Sequence, residues 1–319
     1  MASRHFALYF SWSRPQEELR SPLGVLENRY PSLFEFRRAL WPQIEQFRDQ
    51  ALFDQGIAGF LDHVVLSDFE VFRKFIKGET GNEVPVIQRE GDKPPTGQLD
   101  DSLLRGVDTL IVVSLDHYRT SQQASRGEID LVSTFLQREG RCVVVCPHHD
   151  IGAQGTIPTQ QIEFDHHGDQ LVPAQQRIGG FARSLLDGLG LCVENQFGLS
   201  PEQAPDGSPA PLVINHDLDL TGVLRGVSTF NLHPHLPHLA LPTGIDTGLE
   251  LLAQQRINSK ASKHPFFEAG NRTFNAFLQS RPDRFPGKVF VCDATLWSSA
   301  FGGLASLQAF WRNLSQMPV

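Results

Sequence analysis

The chain has few of the residues that would tie it to a disulfide framework, and no segment suited to crossing a membrane. Only four cysteines occur among 319 residues, at positions 142, 146, 192 and 292. Three of them lie in apolar, strand-like runs, where cysteine usually acts as a small buried hydrophobe. No apolar stretch approaches the roughly 18–20 residues that a membrane span needs. We therefore expect a globular protein in a reducing, cytoplasmic setting, with no membrane partner.

Basic segments are missing as well. The net charge is −8 at pH 7, the sequence pI is about 5.8, and no run is rich in Lys or Arg. Because a basic patch is the electrostatic footprint of nucleic-acid binding, nucleic acid is not an expected partner. A small-molecule substrate fits this composition better, and formation of a homo-oligomer is compatible with it.

The sequence also lacks internal repeats and any linker long enough to force two domains. The apolar run Phe6–Phe10 is followed by Arg14 without a clear signal-peptide cleavage pattern, so this run predicts a first strand. Residues 1–319 are therefore predicted to form a single α/β domain, large but within the range of such folds.

The most informative segment covers residues 107–150. An apolar run, 109–113, stops at Ser-Leu-Asp-His (114–117), and a helical pattern follows. A second apolar run, 142–146, stops at Pro-His-His-Asp (147–150). This pattern predicts a strand–helix–strand unit with polar side chains after each strand. Since ligands of open α/β sheets bind outside the carboxyl ends of the strands, both polar clusters are candidates for a site.

The remaining periodicities predict further elements along the chain. Strands are expected at 84–87, 211–215 and 288–292, and helices at 177–189, 249–257, 267–278, 304–314 and from Ser67 onward. The histidines of 233–238 alternate with prolines, which is typical of an extended surface loop.

Glu128 borders the apolar face of the helix in the strand–helix–strand unit, one turn before Leu131 and Val132. Two interpretations are open: a boundary residue with its head group in water, or a buried carboxylate that supports the site.

Residues that follow the first and last predicted strands offer weaker candidates. Ser11, Ser13 and Arg14 follow the first strand and could bind an anion. Trp12 and Trp297 also follow predicted strands, and either pack in the core or line a pocket.

Three passages carry a resemblance to a known family. They are VDTLIVVSLDHYRTSQQASRGEIDLVSTFLQREGRCVVVC (107–146), PHHDIG (147–152) with GGFARSLLDGLGL (179–191), and GKVFVCDATLWSSAFGGLASLQAFWRNL (287–314). Their layout resembles the class I glutamine amidotransferase-like superfamily, and within it the ThuA-like proteins. The resemblance implies a flavodoxin-like three-layer sandwich, with a mostly parallel central sheet and loop embellishments.

The chain departs from that family at the nucleophile. In true amidotransferases a Cys sits on a strained turn after the third strand, with a His–Glu pair nearby. Here Cys146 still belongs to the strand and precedes Pro147, and neither a Gly-x-Cys-x-Gly nor a Gly-x-Ser-x-Gly elbow is present. Hydrolysis of glutamine by a Cys nucleophile is therefore not expected. ThuA-like proteins resemble this chain in placing a His at that turn.

Histidines are concentrated in one part of the chain. Eight of the twelve fall between positions 148 and 238. Neutral imidazole is the commonest protein metal ligand, and catalytic zinc or iron sites need about three protein ligands and an open position. The candidate metal ligands are His148, His149 and Asp150 on the turn, and Asp165, His166 and His167 on the loop that follows.

Asp116, His117 and Asp293 lie at other predicted strand ends and are candidate catalytic residues in the same crevice. Neighbouring side chains of an extended segment point to opposite faces, so one histidine of each adjacent pair is expected to face the crevice. A metal centre, a metal-free acid/base site and purely structural histidines all remain open.

The leading hypothesis is a zinc- or iron-dependent hydrolase that acts on an amide or related small polar substrate at the carboxyl edge of the sheet. The alternative is a non-catalytic ligand-binding or scaffold domain that uses the same crevice. Fold resemblance does not decide between them, because function resides in the site.

Overall fold

A computed structural model describes most of the chain. The described residues are 3–11, 67–89, 97–114, 116, 122–147, 179–233, 236–260, 264–299 and 301–319.

A mixed eight-stranded sheet forms the centre of the molecule, in the order β2-β1-β3-β4-β10-β9-β8-β6. Its strands are β1 (Phe6–Ser11), β2 (Val86–Arg89), β3 (Thr109–Ser114), β4 (Cys142–Pro147), β6 (Val213–Ile214), β8 (Leu249–Arg256), β9 (Thr273–Ser280) and β10 (Lys288–Cys292). A separate antiparallel pair consists of β5 (Glu194–Leu199) and β7 (Leu236–Ala240).

One half of the sheet is parallel and the other antiparallel. Strands β2, β1, β3, β4 and β10 pair in parallel, whereas β9, β8 and β6 continue the sheet by antiparallel pairing. With β10 as the fifth strand, the parallel half has the order 2-1-3-4-5 of flavodoxin-like sheets. The fold is therefore α/β and consistent with a flavodoxin-like architecture, but its sheet is mixed.

Six helices and one 3₁₀ helix accompany the sheet in the described part of the chain. They are α1 (Ser67–Thr80), α2 (Asp101–Leu104), α3 (Arg126–Leu136), α4 (Gly180–Gly188), α5 (Pro265–Glu268), the 3₁₀ helix (Ala294–Trp297) and α6 (Leu304–Gln316). None of these described helices is long and apolar enough to cross a bilayer.

Successive residues of a strand point to opposite faces of the sheet, so apolar strands present an apolar surface on both faces. Helices cover both of these surfaces. Leu8 and Phe10 of β1 belong to a core that includes the apolar faces of α1 and α6. Ala7 and Tyr9 belong to a second core, with α3 and α4. Trp297 lies fully buried in the first core and stacks on Phe69, so of its two predicted roles it takes the packing one.

Two helices expected from the sequence are strands instead. Residues 249–257 and 267–278 were expected to be helical, but β8 and β9 pair with each other along most of this length. Their Leu, Ala, Gln and Glu residues favour helices intrinsically, and cross-strand packing overrides that preference. Register shifts around Ala253 also break the strict alternation of a regular strand, which hides the period of two.

The amino edge of the sheet is held by a buried arginine. The Arg4 guanidinium, 1% exposed, donates to the carbonyls of Met317, Pro318, Asp108 and Gly140 and to the hydroxyl of Thr109. Burial lowers the pKa of Arg4. This side chain joins the first strand to the end of the last helix.

Candidate functional site

The carboxyl ends of the five parallel strands share one edge of the sheet. Ser11, Arg89, Ser114, Pro147 and Cys292 are the last residues of these strands. The strand order reverses between β1 and β3, which makes this the topological switch point where ligands of open α/β sheets bind.

Asp116 lies just after β3 and is buried at the beginning of α4. Its Oδ1 accepts a hydrogen bond from the Ser114 hydroxyl (2.5 Å), and its Oδ2 accepts one from the Phe181 backbone N–H (3.1 Å). Ser114 Oγ in turn accepts from the Ala182 N–H (3.0 Å). Burial raises the pKa of Asp116, and the Ser114 and Phe181 hydrogen bonds oppose that rise. The carboxylate therefore joins the end of β3 to the first turn of α4.

Two glycines allow this close approach. Gly179 has a φ of 88°, a left-handed conformation that favours glycine, and its N–H donates to the Asp116 carbonyl (2.8 Å). A Cβ on Gly180 would lie 3.2 Å from Asp116 Oδ2 and 3.0 Å from the Gln122 carbonyl oxygen. The glycine pair thus allows a helix N-terminus to abut the loop that follows β3.

Asp293 directly follows β10 and begins the 3₁₀ helix. Its Oδ1 accepts from the Thr295 N–H (2.8 Å) and the Thr295 hydroxyl (2.6 Å). Both Asp116 and Asp293 thus lie at strand ends, as the sequence predicts, and each caps the backbone segment next to it. Because β4 separates β3 from β10, their strand ends are roughly 10 Å apart.

A fully buried ion pair supports the loop after β3. Arg89, the last residue of β2, pairs with Glu128 of α3, and its Nε donates to Gln122 Oε1 (2.7 Å). Arg89 Nη2 also donates to the Gln123 carbonyl (3.1 Å), and its guanidinium lies 4.7 Å from the centre of the Phe181 ring. The pair therefore connects β2, α3, α4 and the 122–123 segment.

The sequence left two interpretations of Glu128 open, and the structure shows the buried carboxylate rather than the solvated boundary residue. It is 2% exposed, and its Oε2 accepts from the Ser125 N–H (2.9 Å) and hydroxyl (2.8 Å), which completes a capping box. Its Oε1 accepts from Arg89, the Leu99 N–H and the Tyr9 hydroxyl. Burial raises the pKa of Tyr9.

The sequence does not single out Arg89, because the polar stretch that begins with it, residues 89–98, is typical of a loop. Two features of the sequence hint at this pair. Arg89 is a cation just after a short apolar run, and Glu128 is a carboxylate at the border of the apolar face of a predicted helix. Pairing the two requires knowing that β2 and α3 are neighbours, which topology alone provides.

Seven of the nine candidate site residues lie outside the described residues. They are His117, His148, His149, Asp150, Asp165, His166 and His167. Across the described ranges, no group of three or more His, Cys, Asp or Glu side chains is placed to hold a metal ion. Ser13, Arg14 and Trp12 also lie outside these ranges.

The prediction of an extended surface loop at 233–238 is wrong for His238. It belongs to β7 and is buried, its Nδ1 accepts from the Asn275 N–H (3.1 Å), and its ring lies 4.8 Å from that of Phe266. Burial lowers the pKa of His238 to about 4. Contacts with β9 and α5 bury the ring, and neither partner is apparent from the prolines around it.

Two thiols meet at the carboxyl edge. Cys146 and Cys292 are fully buried, and their sulfurs are 3.8 Å apart. All four cysteines are free, and Cys142, Cys146 and Cys292 are buried as the sequence predicts.

Comparison with known proteins adds a distant structural similarity. No family model and no curated protein matches the chain. Among solved structures, the chain is similar to a protein described as ThuA-like from Bacteroides uniformis. The identity is 12%, the TM-score is 0.39, and the match covers 98% of this chain and 92% of that one.

Proposed function

We propose that the chain is a metal-dependent hydrolase of the amidotransferase-like, flavodoxin-like type, whose centre lies where β4 ends. One observation carries the proposal: β4 lies between β3 and β10, so it ends at Pro147 between the strand ends that precede Asp116 and Asp293. The proposal places the 148–150 turn on the stretch of the carboxyl edge where Asp116 and Asp293 lie.

The proposed ligands are one histidine of the pair 148–149, Asp150, and one or two of Asp165, His166 and His167. These residues would hold a zinc or iron ion, which would supply a water of lowered pKa for attack on an amide or related small polar substrate. Asp116 holds the loop after β3 against α4, since both its carboxylate oxygens accept hydrogen bonds there. We assign the proton-accepting role to His117 or Asp293.

Elemental analysis of the purified, untagged protein tests the metal centre. We expect about one zinc or iron per chain, lost in His149→Ala or Asp150→Ala and retained in His216→Ala, whose side chain is exposed. A protein that is metal-free as purified and takes up neither metal would contradict the proposal. Hydrolysis of a set of small amides, with and without a chelator, then tests the activity.

A non-catalytic ligand-binding or scaffold domain is the second candidate. It is favoured by the capping roles of Asp116 and Asp293, each of which accepts hydrogen bonds from a helix beginning. A ligand that raises the melting temperature without being turned over, in protein that holds no metal, would favour this candidate.

A further inference from the structure

Cys146 and Cys292 are placed as partners by the sheet itself. Strands β4 and β10 pair in parallel, with Val145 opposite Val291. The next row of that register brings Cys146 opposite Cys292, and both side chains belong to the same core. Their sulfurs are 3.8 Å apart.

The backbone spacing suits a covalent bond. Neighbouring strands lie about 4.8 Å apart, within the roughly 4.4–6.8 Å between Cα atoms that disulfides span. Side-chain rotation that brings the sulfurs from 3.8 Å to about 2.0 Å is then the main movement required. The other thiols are placed differently, since Cys142 lies opposite Lys288 and Cys192 is only partly buried.

We propose that Cys146 and Cys292 are a redox modification site, in which a small-molecule disulfide converts the two thiols into an intramolecular cross-link. This inference does not depend on the proposed function. The cross-link would join two strand ends at the carboxyl edge, directly before Pro147 on one strand and Asp293 on the other.

The chemistry is thiol–disulfide exchange in two steps. One protein thiol loses its proton and attacks a sulfur of the small disulfide, which breaks that bond and releases one small thiol. The second protein thiol loses its proton and attacks the mixed disulfide, which forms the Cys146–Cys292 bond and releases the second small thiol. The protein thus loses two protons and two electrons, and the small disulfide gains them.

The rate of cross-linking depends on how easily the small disulfide reaches the two thiols. Both thiols are fully buried, so a dissolved disulfide reaches the resting pair slowly. Cys292 is the last residue of β10 and Cys146 the penultimate residue of β4. Strand ends open by local fluctuation more readily than strand centres, which gives the oxidant its route.

The test treats the folded protein with oxidised glutathione, blocks remaining thiols with an alkylating reagent, and maps peptides without reduction. We expect a linked peptide containing both residues, about 2 Da lighter than the sum of its parts and removed by dithiothreitol. Cys142→Ala, on the same strand, should keep the link, and Cys146→Ala and Cys292→Ala should each lose it.

Two results would overturn the proposal. One is modification of Cys192 alone, with Cys146 and Cys292 recovered as free thiols after Cys192 has reacted fully. The other is a 146–292 link that forms only in denaturant, with circular dichroism reporting the folded state before oxidation. Either result would leave the two thiols as packing residues.

Discussion

Ser11 and Ser114 lie opposite each other in the register of β1 and β3. The Ser114 hydroxyl makes two hydrogen bonds, whereas the buried Ser11 hydroxyl has no partner among the described residues. We therefore expect opposite effects from the same substitution. Ser11→Ala should leave the free energy of unfolding unchanged or raise it by up to about 1 kcal/mol, since a buried hydroxyl without a partner is unfavourable. Ser114→Ala should cost about 1–3 kcal/mol, because the Ala182 N–H loses its acceptor.

Urea unfolding of both variants measures this difference. Ser11 ends β1 at the switch point, where ligands of open α/β sheets bind. If Ser11→Ala destabilised the protein as much as Ser114→Ala, a bound water or ligand on Ser11 would be the explanation to pursue.

Glu128→Ala should be among the most destabilising single substitutions in the chain. It leaves the Arg89 guanidinium buried without its carboxylate, at an expected cost of about 3–5 kcal/mol. Asp130→Ala is the matched control on the same helix, because Asp130 pairs with Arg126 at the surface. That exposed pair should contribute less than about 1 kcal/mol. Similar costs for the two substitutions would show that Arg89 is solvated when Glu128 is removed.

A double-mutant cycle separates the pair from its parts. Arg89→Met combined with Glu128→Ala should cost less than the two single substitutions added together, since neither charge is then left alone. A coupling free energy below about 0.5 kcal/mol would contradict the buried ion pair.

Asp116→Asn separates a capping role from proton transfer. The amide oxygen can still accept from the Phe181 N–H, so we expect a loss of stability of no more than about 1–2 kcal/mol. Asp116→Ala removes both acceptors and should cost about 2–4 kcal/mol. If a substrate is found, activity that survives in Asp116→Asn supports a positioning role, and abolished turnover in a folded variant would assign it to proton transfer.

His238 should make the protein less stable as pH falls. Its pKa in the folded state is about 4, below the roughly 6.5 of an unfolded chain, so the unfolded state binds a proton that the folded state does not. Stability is therefore full above about pH 6.5 and falls as pH drops toward 4, by at most about 3 kcal/mol.

Melting temperatures between pH 7 and 4.5 test this slope. His238→Asn keeps an acceptor near the Asn275 N–H without a titrating ring, so its curve should be flatter than that of the wild type. His216→Ala, at an exposed position, should keep the wild-type slope. Parallel curves for His238→Asn and the wild type would show that another group dominates the acid range.

The sequence predicts the parallel half of the fold well, because strands that are buried on both faces have an easily recognised apolar pattern. Strands buried on both sides are continuous apolar runs, and β1, β3, β4 and β10 were all expected within one or two residues. The apolar pattern between β3 and β4 likewise predicts the helix that the structure shows as α3, which begins with a capping box at Ser125 and Glu128. Local rules suffice for these elements because each satisfies its own propensity.

The antiparallel half depends on contacts that a single sequence does not contain. Several residues of β8 and β9 favour helices but form strands by pairing with each other, and His238 is buried against Asn275 of β9 and Phe266 of α5. The site residues also fall into those that local pattern predicts and those that depend on the topology. Asp116 and Asp293 were placed at strand ends by local pattern, while the Arg89–Glu128 pair joins residues 39 positions apart and required the topology.

The Arg4 contacts have a consequence for synthesis on the ribosome. Arg4 is made 313 residues before the Met317 carbonyl that it binds, and at about 5–20 residues per second that interval is roughly 15–60 s. Phe72 of α1 is made 239 residues before Trp311 of α6, which packs against it, and this interval is roughly 12–48 s at the same rate. The nascent chain therefore keeps Arg4 in water and leaves the aromatic surface of α1 uncovered for most of translation, and a chaperone would protect that surface from aggregation during this interval.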